Sequence, residues 1–537
     1  MRTLYRGGFV YSPVDPFANA MVVDGDTVAW VGGDDAAAVH ADAVDEVVDL
    51  DGALVTPAFV DAHAHLSQTG AVLRGVDVAG AASLAEALAR VEAASRASGG
   101  RPLYAPNWDE RLWPEQRPAT AAELDRASHG GVVYMPRVDG HSAVVSSALA
   151  AASGARGSDG WLGDGLVARD AHHVAREAFN AAISPAQRRA DIDLALSSAA
   201  AAGIGLVQEN GGRILSSADD FADVLAAGER GDGPQTLGYW AQLVSTEQEA
   251  REALALTGAH GLGGDLNADG SIGSRTAHLR APYSDRAGHC GHAYLTVEQV
   301  RDHVAACSLA GVQGGFHVIG DAAVATVVEG IEAAAAAVGA DVVRRARHRL
   351  EHLEMVDRDG IRRLAALGVT ASVQPAFDAH WGGGEGMYAA RLGADRVAGM
   401  NPFATMMAEG LGVALGSDSP VTPFAPWEAV RACVNHQVPE QRVSARSAFL
   451  AHTRGGWRAA GIDDRGHLDL GLPATFAVWE VGDLVVQAPD DRIQTWSTDP
   501  RSGTPGLPDL SPGAPAPTCL RTVVRGRTVF DGGALGA

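Results

Sequence analysis

The sequence predicts an α/β protein: a (β/α)8 barrel with a small β-sandwich module built from both chain termini. Three observations lead there. Eight short apolar runs recur, most of them separated by helical stretches rich in Ala, Leu, Glu and Arg. Several of the runs are followed at once by a His or an Asp. Tight-turned β patterning occurs at both chain ends and is absent between them. Alternating buried strands and helices imply a parallel sheet, and eight such units close into a barrel. The expected division is a composite module from 1–56 and 466–537, and a barrel at 57–465 with an insertion at about 78–202.

Near the N-terminus, Gly8-Phe-Val-Tyr, Ala20-Met-Val-Val and Thr27-Val-Ala-Trp-Val are β-rich. Asp24-Gly25-Asp26 between the last two is a hairpin signal. The first barrel strand then runs through Val55-Thr-Pro-Ala-Phe-Val-Asp-Ala-His-Ala-His-Leu. Residues two apart on a strand point to one face, so His63 and His65 leave the strand end together and can grip one metal ion. Alone, such a pair is a weak signal and reads more readily as two surface histidines in a turn. His317, His352 and Asp418, each just after a short apolar run, shift the balance toward ligation, because polar strand ends around a barrel are where its chemistry sits.

In the insertion, Ser83 and Glu86 form a capping-box pattern ahead of Leu84, Leu88 and Val91. Strand-like Val132-Val-Tyr-Met alternates with Ala-rich stretches such as 189–202. This segment is expected to lie over the barrel mouth, with Tyr104, Trp108, Trp113 and His141 as its notable side chains. His172 and His173 are expected on a solvent-exposed helix face.

From about 203 the strand runs come in order: Gly205-Leu-Val-Gln-Glu, Thr236-Leu-Gly-Tyr-Trp, Gly264-Asp-Leu-Asn-Ala-Asp, Gly314-Gly-Phe-His-Val, Arg347-His-Arg-Leu-Glu-His, Val369-Thr-Ala-Ser-Val-Gln and Val413-Ala-Leu-Gly-Ser-Asp. With the His-x-His strand they number eight, a TIM-like barrel. Beyond about 465, Gly466 to Glu480 reads as a hairpin, 499–517 as a Pro/Gly/Ser loop, and Thr522-Val-Val-Arg-Gly-Arg-Thr-Val-Phe as a last strand pair.

Composition narrows the function. Across 537 residues, 46% apolar and 20% charged side chains are ordinary for a globular protein. The net charge of −23 argues against nucleic acid and anionic membranes as partners. There is no Lys; every fixed cationic side chain is Arg. The four cysteines form no Cys-x-x-Cys pair. No signal-peptide core and no apolar run near ~18 residues is present, so a cytoplasmic location is the expectation. The expected partner is a small-molecule substrate, with a homodimer as the guess from symmetry statistics.

Pro57-Ala-Phe-Val-Asp-Ala-His-Ala-His, Phe316-His-Val-Ile-Gly-Asp, Leu350-Glu-His-Leu and Gly416-Ser-Asp-Ser-Pro resemble the metal-dependent amidohydrolase superfamily. Asp269-Gly-Ser-Ile-Gly-Ser-Arg-Thr-Ala and Arg137-Val-Asp-Gly-His-Ser-Ala resemble the subgroup that includes N-substituted formamide deformylases. The likeness covers nearly the whole chain. It implies that His63, His65 and Asp418 hold one metal, and that His317 and His352 hold a second metal or the substrate carbonyl. Related enzymes often bridge two metals with a carbamylated lysine on the fourth strand. Here that position is Asp265, and the chain has no lysine to modify. Asp265 is expected to fall short of the metal, with the longer Glu209 as its substitute; a mononuclear site with His63, His65, His317 and Asp418 is the alternative.

The resemblance implies hydrolysis of a non-peptide C–N bond in a small amide, N-substituted formamide or cyclic amide. A metal-activated water would attack, Asp418 would shuttle the proton, and His352 would stabilise the oxyanion. Zinc suits the ligands best, as one or two ions, with iron and manganese as alternatives. His141, Arg275, Gln374 and Trp108 are candidate substrate-binding residues. A lactonase or esterase on the same site, and a non-catalytic regulatory protein retaining the fold, are the other readings.

Overall fold

The computed structural model describes residues 1–76, 78–213, 215–487, 496–497 and 505–535. Eight parallel strands form one sheet in chain order: Phe59–Ala64, Ile204–Gly212, Gln235–Ala241, Gly261–Leu262, Gln313–Val318, Arg349–His352, Thr370–Val373 and Gly412–Leu415. The two edges meet at the carboxyl end. Asp418 N–H donates to His63 O at 2.7 Å, and His65 N–H donates to Ser419 O at 2.8 Å. The sheet is thus a nearly closed barrel, stitched at the end where strand-end side chains gather.

The strands are runs buried on both faces, as a helix-wrapped barrel demands: every residue of Phe59–Ala64 and Gln313–Val318 is buried. Helices cover the outside. Val297–Ala310 starts with a capping box between Thr296 and Gln299, ends at left-handed Gly311, and buries Val300 and Val304. It packs with Asp321–Val338, which buries Val324, Val327, Val328 and Ile331.

The insertion carries its own five-stranded sheet, ordered Trp161–Gly163, Leu166–Ala168, Ser142–Val145, Val133–Pro136 and Leu103–Tyr104. The Ser83 hydroxyl accepts the Glu86 N–H, but Glu86 returns its bond to Ala82 rather than Ser83. The reciprocal half of the expected box is therefore displaced by one residue. Helix Pro185–Ala201 leads back into the second barrel strand.

Strands from the two chain ends share a sheet: Phe9–Val10, Leu54–Pro57, Phe476–Glu480, Thr518–Val524 and Arg527–Asp531. A second sheet of Thr27–Gly32, Ala20–Asp24, Arg2–Arg6 and Glu46–Asp49 packs against it. Tyr5, Met21 and Val48 of one sheet share a core with Phe476, Val478 and Val523 of the other. The expected hairpin over 466–480 does not form. Only Phe476–Glu480 is a strand, and both its edges are taken, by Leu54–Pro57 and Thr518–Val524. The residues before it are claimed by N-terminal partners: Leu468 O accepts from Ser12 Oγ, and Leu472 O from Val28 N–H. Of the expected 499–517 loop, 499–504 lie outside the described residues. Among the described residues, no single helix is long and apolar enough to cross a membrane.

Candidate metal centre

The site begins below the barrel mouth, at an ion pair inside the barrel. Arg349 and Glu351, two apart on the sixth strand, point to one face and are both fully buried. Arg349 donates to Glu351 at 2.6 and 2.9 Å and to Ala62 O at 2.6 Å, and lies 4.3 Å over the Tyr239 ring. Burial pushes the Glu351 carboxyl up, but Arg349 and His63 outweigh it and hold it at about 2. An ionised carboxylate only accepts, so His63 Nδ1, 2.9 Å from Glu351 Oε2, carries the ring proton. His63 Nε2 is the ring atom left to face the cavity.

Two more histidines are oriented in the same way. His65 Nδ1 lies 3.0 Å from Asn210 O, and His352 Nδ1 lies 2.8 Å from Gln374 Oε1. Metal-ligating histidines almost always tie their second nitrogen to such an acceptor. His352 and Asp418 sit at positive φ, 70° and 54°. Both lie where a strand breaks off, and strained backbone of this kind clusters at functional sites.

The three free nitrogens face two carboxylates. His65 Nε2 is 3.2 Å from Asp418 Oδ1 and 3.4 Å from Asp265 Oδ2. His63 Nε2 is 3.4 Å from Asp265 Oδ1 and 3.5 Å from Asp418 Oδ1. His352 Nε2 is 3.9 Å from Asp265 Oδ1. Among the described residues, two overlapping groups could each hold a cation: His63, His352 and Asp418; and His63, His65 and Asp265. His63 Nε2 and Asp265 Oδ1 are buried without a hydrogen-bond partner, as are both ring nitrogens of His317. Buried polar atoms are rarely left so. Burial disfavours the charged forms, yet Asp265 and Asp418 raise His63, His65 and His352 above the usual histidine range. Burial also pushes Asp265 up, but His63, His352 and His65 hold it well below the carboxylate range. The His317 ring packs 4.4 Å from that of His352 and 5.0 Å from that of His141. Burial, then its two histidine neighbours, keeps His317 neutral. Imidazole nitrogens and carboxylates that converge in one buried space, several of them without a hydrogen-bond partner, fit a divalent cation.

The amidohydrolase family model matches residues 46–530. The chain belongs to the amidohydrolase family. It is 26% identical over 466 residues to Protein LONG AFTER FAR-RED 3 of Arabidopsis thaliana, covering 80% of this chain and 78% of that one. It is 25% identical over 457 residues to the putative amidohydrolase YtcJ of Bacillus subtilis, covering 81% and 84%. N-substituted formamide deformylase of Arthrobacter pascens is 24% identical over 511 residues, covering 86% and 90%. It is no more similar than the other two, so the expected subgroup is not singled out. Among solved structures, an uncharacterized metal-dependent hydrolase from Pyrococcus furiosus shares the fold, with TM-score 0.70, 23% identity and coverage of 89% of this chain and 98% of that one.

Within this amidohydrolase barrel, several residues sit differently from the sequence expectation. Asp265 does reach the cluster. The fourth strand is only two residues long, and Gly263 and Gly264 bring the chain in over the mouth. A Cβ on Gly264, at φ +68°, would lie 2.5 Å from Asn210 Oδ1, and one on Gly263 would lie 2.8 Å from Gly315 N. Close approach of the backbone thus makes up for the short side chain. Glu209 lies outside both cation-holding groups: its Oε2 accepts the Leu66 N–H at 2.8 Å, at the start of helix Leu66–Arg74. Burial pushes that carboxyl up to about 7.

Trp108 does not line the cavity. It is buried in the insertion core against Trp113, with Nε1 donating to Met135 O at 2.8 Å. Trp113 likewise donates to Ala81 O. Arg275 is forked onto Asp285 at 2.6 and 3.0 Å, a structural ion pair. Gln374 stands behind His352 and orients it. His141 lines the cavity beside His317. His172 and His173 are not solvent-exposed: both line the cavity, and His172 Nε2 accepts from the Tyr134 hydroxyl at 2.6 Å. Their helix, Arg169–Ala181, belongs to the insertion and turns this face inward. Sequence reasoning passed over Glu351 and Arg349. Two charged residues at period two on a buried strand were the available signal, because such a pair must satisfy itself inside.

Proposed function

We propose that this chain hydrolyses a non-peptide C–N bond of a small amide, N-substituted formamide or cyclic amide, using a metal-activated water. The observation that carries the reading is the set of three buried histidines, each tied at Nδ1, offering Nε2 to the same two carboxylates. His63, His65, Asp265 and Asp418 would hold one ion, and His352 with His317 would hold a second or the substrate carbonyl. Zinc is the proposed metal. Such an ion lowers the pKa of its water to ~7 and polarises a carbonyl. Asp418, which lines the cavity, takes the attacking water's proton and returns it to the leaving nitrogen. His352, steadied by Gln374, faces the carbonyl oxygen as charge builds there. His141 lines the substrate's path.

The test is metal content of the purified protein, followed by turnover of a panel of N-substituted formamides, cyclic amides and one lactone, with and without chelation. Stoichiometric zinc and chelator-sensitive amine release support the reading. Preferential opening of the lactone would make the chain an esterase on the same site. Metal bound without turnover would favour a regulatory protein retaining the fold, a reading motivated by the absent lysine. Absence of metal binding would sink the hydrolase reading. Alongside it, we read 1–56 with 466–537 as one composite β-module beside the barrel, and the assembly as a homodimer.

A further inference from the structure

We propose that Arg176 receives a carboxylate of the substrate, while an aromatic wall beside the His–Asp cluster receives an apolar group. This rests on the hydrolase reading of the same cavity and adds the charge and shape of what enters it.

Arg176 lies on helix Arg169–Ala181 and lines the cavity that holds His65, Asp265, His317, His352 and Asp418. Its Nε donates to the Tyr134 hydroxyl at 3.1 Å and its Nη2 to Gly140 O at 2.6 Å. Both partners are neutral. Among the described residues, no carboxylate forms an ion pair with it and Nη1 has no hydrogen-bond partner. Other arginines near the mouth are neutralised: Arg137 by Asp109, Glu110 and Asp139, and Arg391 by Glu110 and Asp285. The chain has 65 Asp and Glu against 42 Arg, so a cation in the cavity wall without a directly paired carboxylate is not for want of acids. A desolvated charge with no carboxylate paired to it is costly, and a guanidinium fork matches a carboxylate in shape.

Asp139, Asp265 and Asp418 line the same cavity without an ion pair to Arg176, although Asp265 acts on it through space. Tyr104, Tyr134, His172 and His173 stand there. Burial, then Arg176, holds His173 neutral down to about pH 3.

A second, smaller lobe is lined by Ile272, Phe377, Trp381, Met387 and Tyr388, with Ser271 and Glu354 among them. The Phe377 ring stacks on His352 at 6.0 Å. The two lobes share His141, His317, His352 and Asp418. A scissile carbonyl placed there adjoins both lobes.

The experiment measures binding of N-benzoylglycine, N-benzoylglycinamide and N-acetylglycine to the zinc-loaded full chain by calorimetry, with hydrolysis followed separately. N-benzoylglycine should bind about 10- to 100-fold more tightly than its carboxamide, the range of a charge-assisted hydrogen bond. That preference should collapse in Arg176→Gln and survive in part in Arg176→Lys. N-acetylglycine, lacking the ring, should bind about 10-fold more weakly than N-benzoylglycine. Equal binding of acid and carboxamide, a preference that survives Arg176→Gln, or no binding of any probe would overturn the proposal. If Arg176→Gln does not fold, the acid–carboxamide comparison on the unsubstituted chain decides. Selective binding without hydrolysis would sink the hydrolase reading alone. Faster hydrolysis of the carboxamide than of the acid would sink this proposal alone.

Discussion

Glu351 Oε2 lies 2.9 Å from His63 Nδ1, and the same oxygen accepts from Arg349 at 2.9 Å. One carboxylate thus fixes the tautomer of a candidate ligand and neutralises a cation inside the barrel. Glu351→Gln should separate the two effects. Zinc affinity, read by competition with a chromogenic chelator, should fall by about 10- to 100-fold. Stability to urea should fall by about 3–5 kcal/mol, because Arg349 stays charged and buried without its partner. Lower stability with unchanged affinity would leave Glu351 a purely structural residue.

Asp265 and Glu209 compete for the role of the absent bridging lysine, and their positions predict opposite outcomes. Asp265→Asn should remove at least one metal equivalent, since both Asp265 oxygens face histidine nitrogens. Glu209→Gln should leave metal content unchanged, because the amide oxygen can still accept the Leu66 N–H. Elemental analysis of both variants decides, and metal lost from Glu209→Gln alone would reverse the assignment.

The strand-end residues were legible because the barrel imposes order: a polar residue just past a buried run lands at one rim whatever its position in the chain. His63, His65, His352 and Asp418 meet there for that reason. What the sequence hid depends on backbone path. The fourth strand is two residues long, and no propensity shows that Gly263-Gly264 carries Asp265 inward. The inward face of His172 and His173 depends on how the insertion docks. The Trp108 indole looked available because an aromatic in an insertion reads the same whether it lines a mouth or fills a core.

Trp108 therefore gives a test of packing. Trp108→Ala should cost about 3–5 kcal/mol, the usual price of an emptied aromatic site. Thermal or urea unfolding measures it. The indole is 3% exposed and bonded to Met135 O, so the Km for any substrate found should change little in protein that remains folded. A large rise in Km without loss of stability would return Trp108 to the pocket wall.

Glu123 should carry part of the acid sensitivity of the insertion. Its hydrogen bond to Arg117 comes first, burial opposes it, and Thr120 N–H and Oγ1 add to it; together they hold the carboxyl at about 2, against an ordinary 4.5. A folded pKa below the unfolded one gives stability that is complete above 4.5 and is lost as pH falls through 4.5 toward 2. Glu123→Gln keeps the cap on Thr120 but loses the fork to Arg117. The stability gap between the parent and Glu123→Gln should narrow between pH ~5 and ~3 in urea titrations. A gap that stays constant over that range contradicts the linkage.

Asp418→Asn is the sharpest test of the chemistry, because the backbone bonds that hold Asp418 in the fold do not use its carboxylate. The bond that stitches the barrel runs from the Asp418 backbone N–H to His63 O, and the Asp418 carbonyl accepts from Val421 N–H. Neither needs the carboxylate. The residue sits at φ 54°, a region that asparagine tolerates as readily as aspartate. The amide should therefore fold to the same melting temperature. It cannot take a proton from water, so kcat on any substrate the amide panel yields should fall by about 10²- to 10⁴-fold. Turnover within a few-fold of the parent would move the proton transfer to another group, and His317, neutral and without a hydrogen-bond partner beside His352, would be the next to replace.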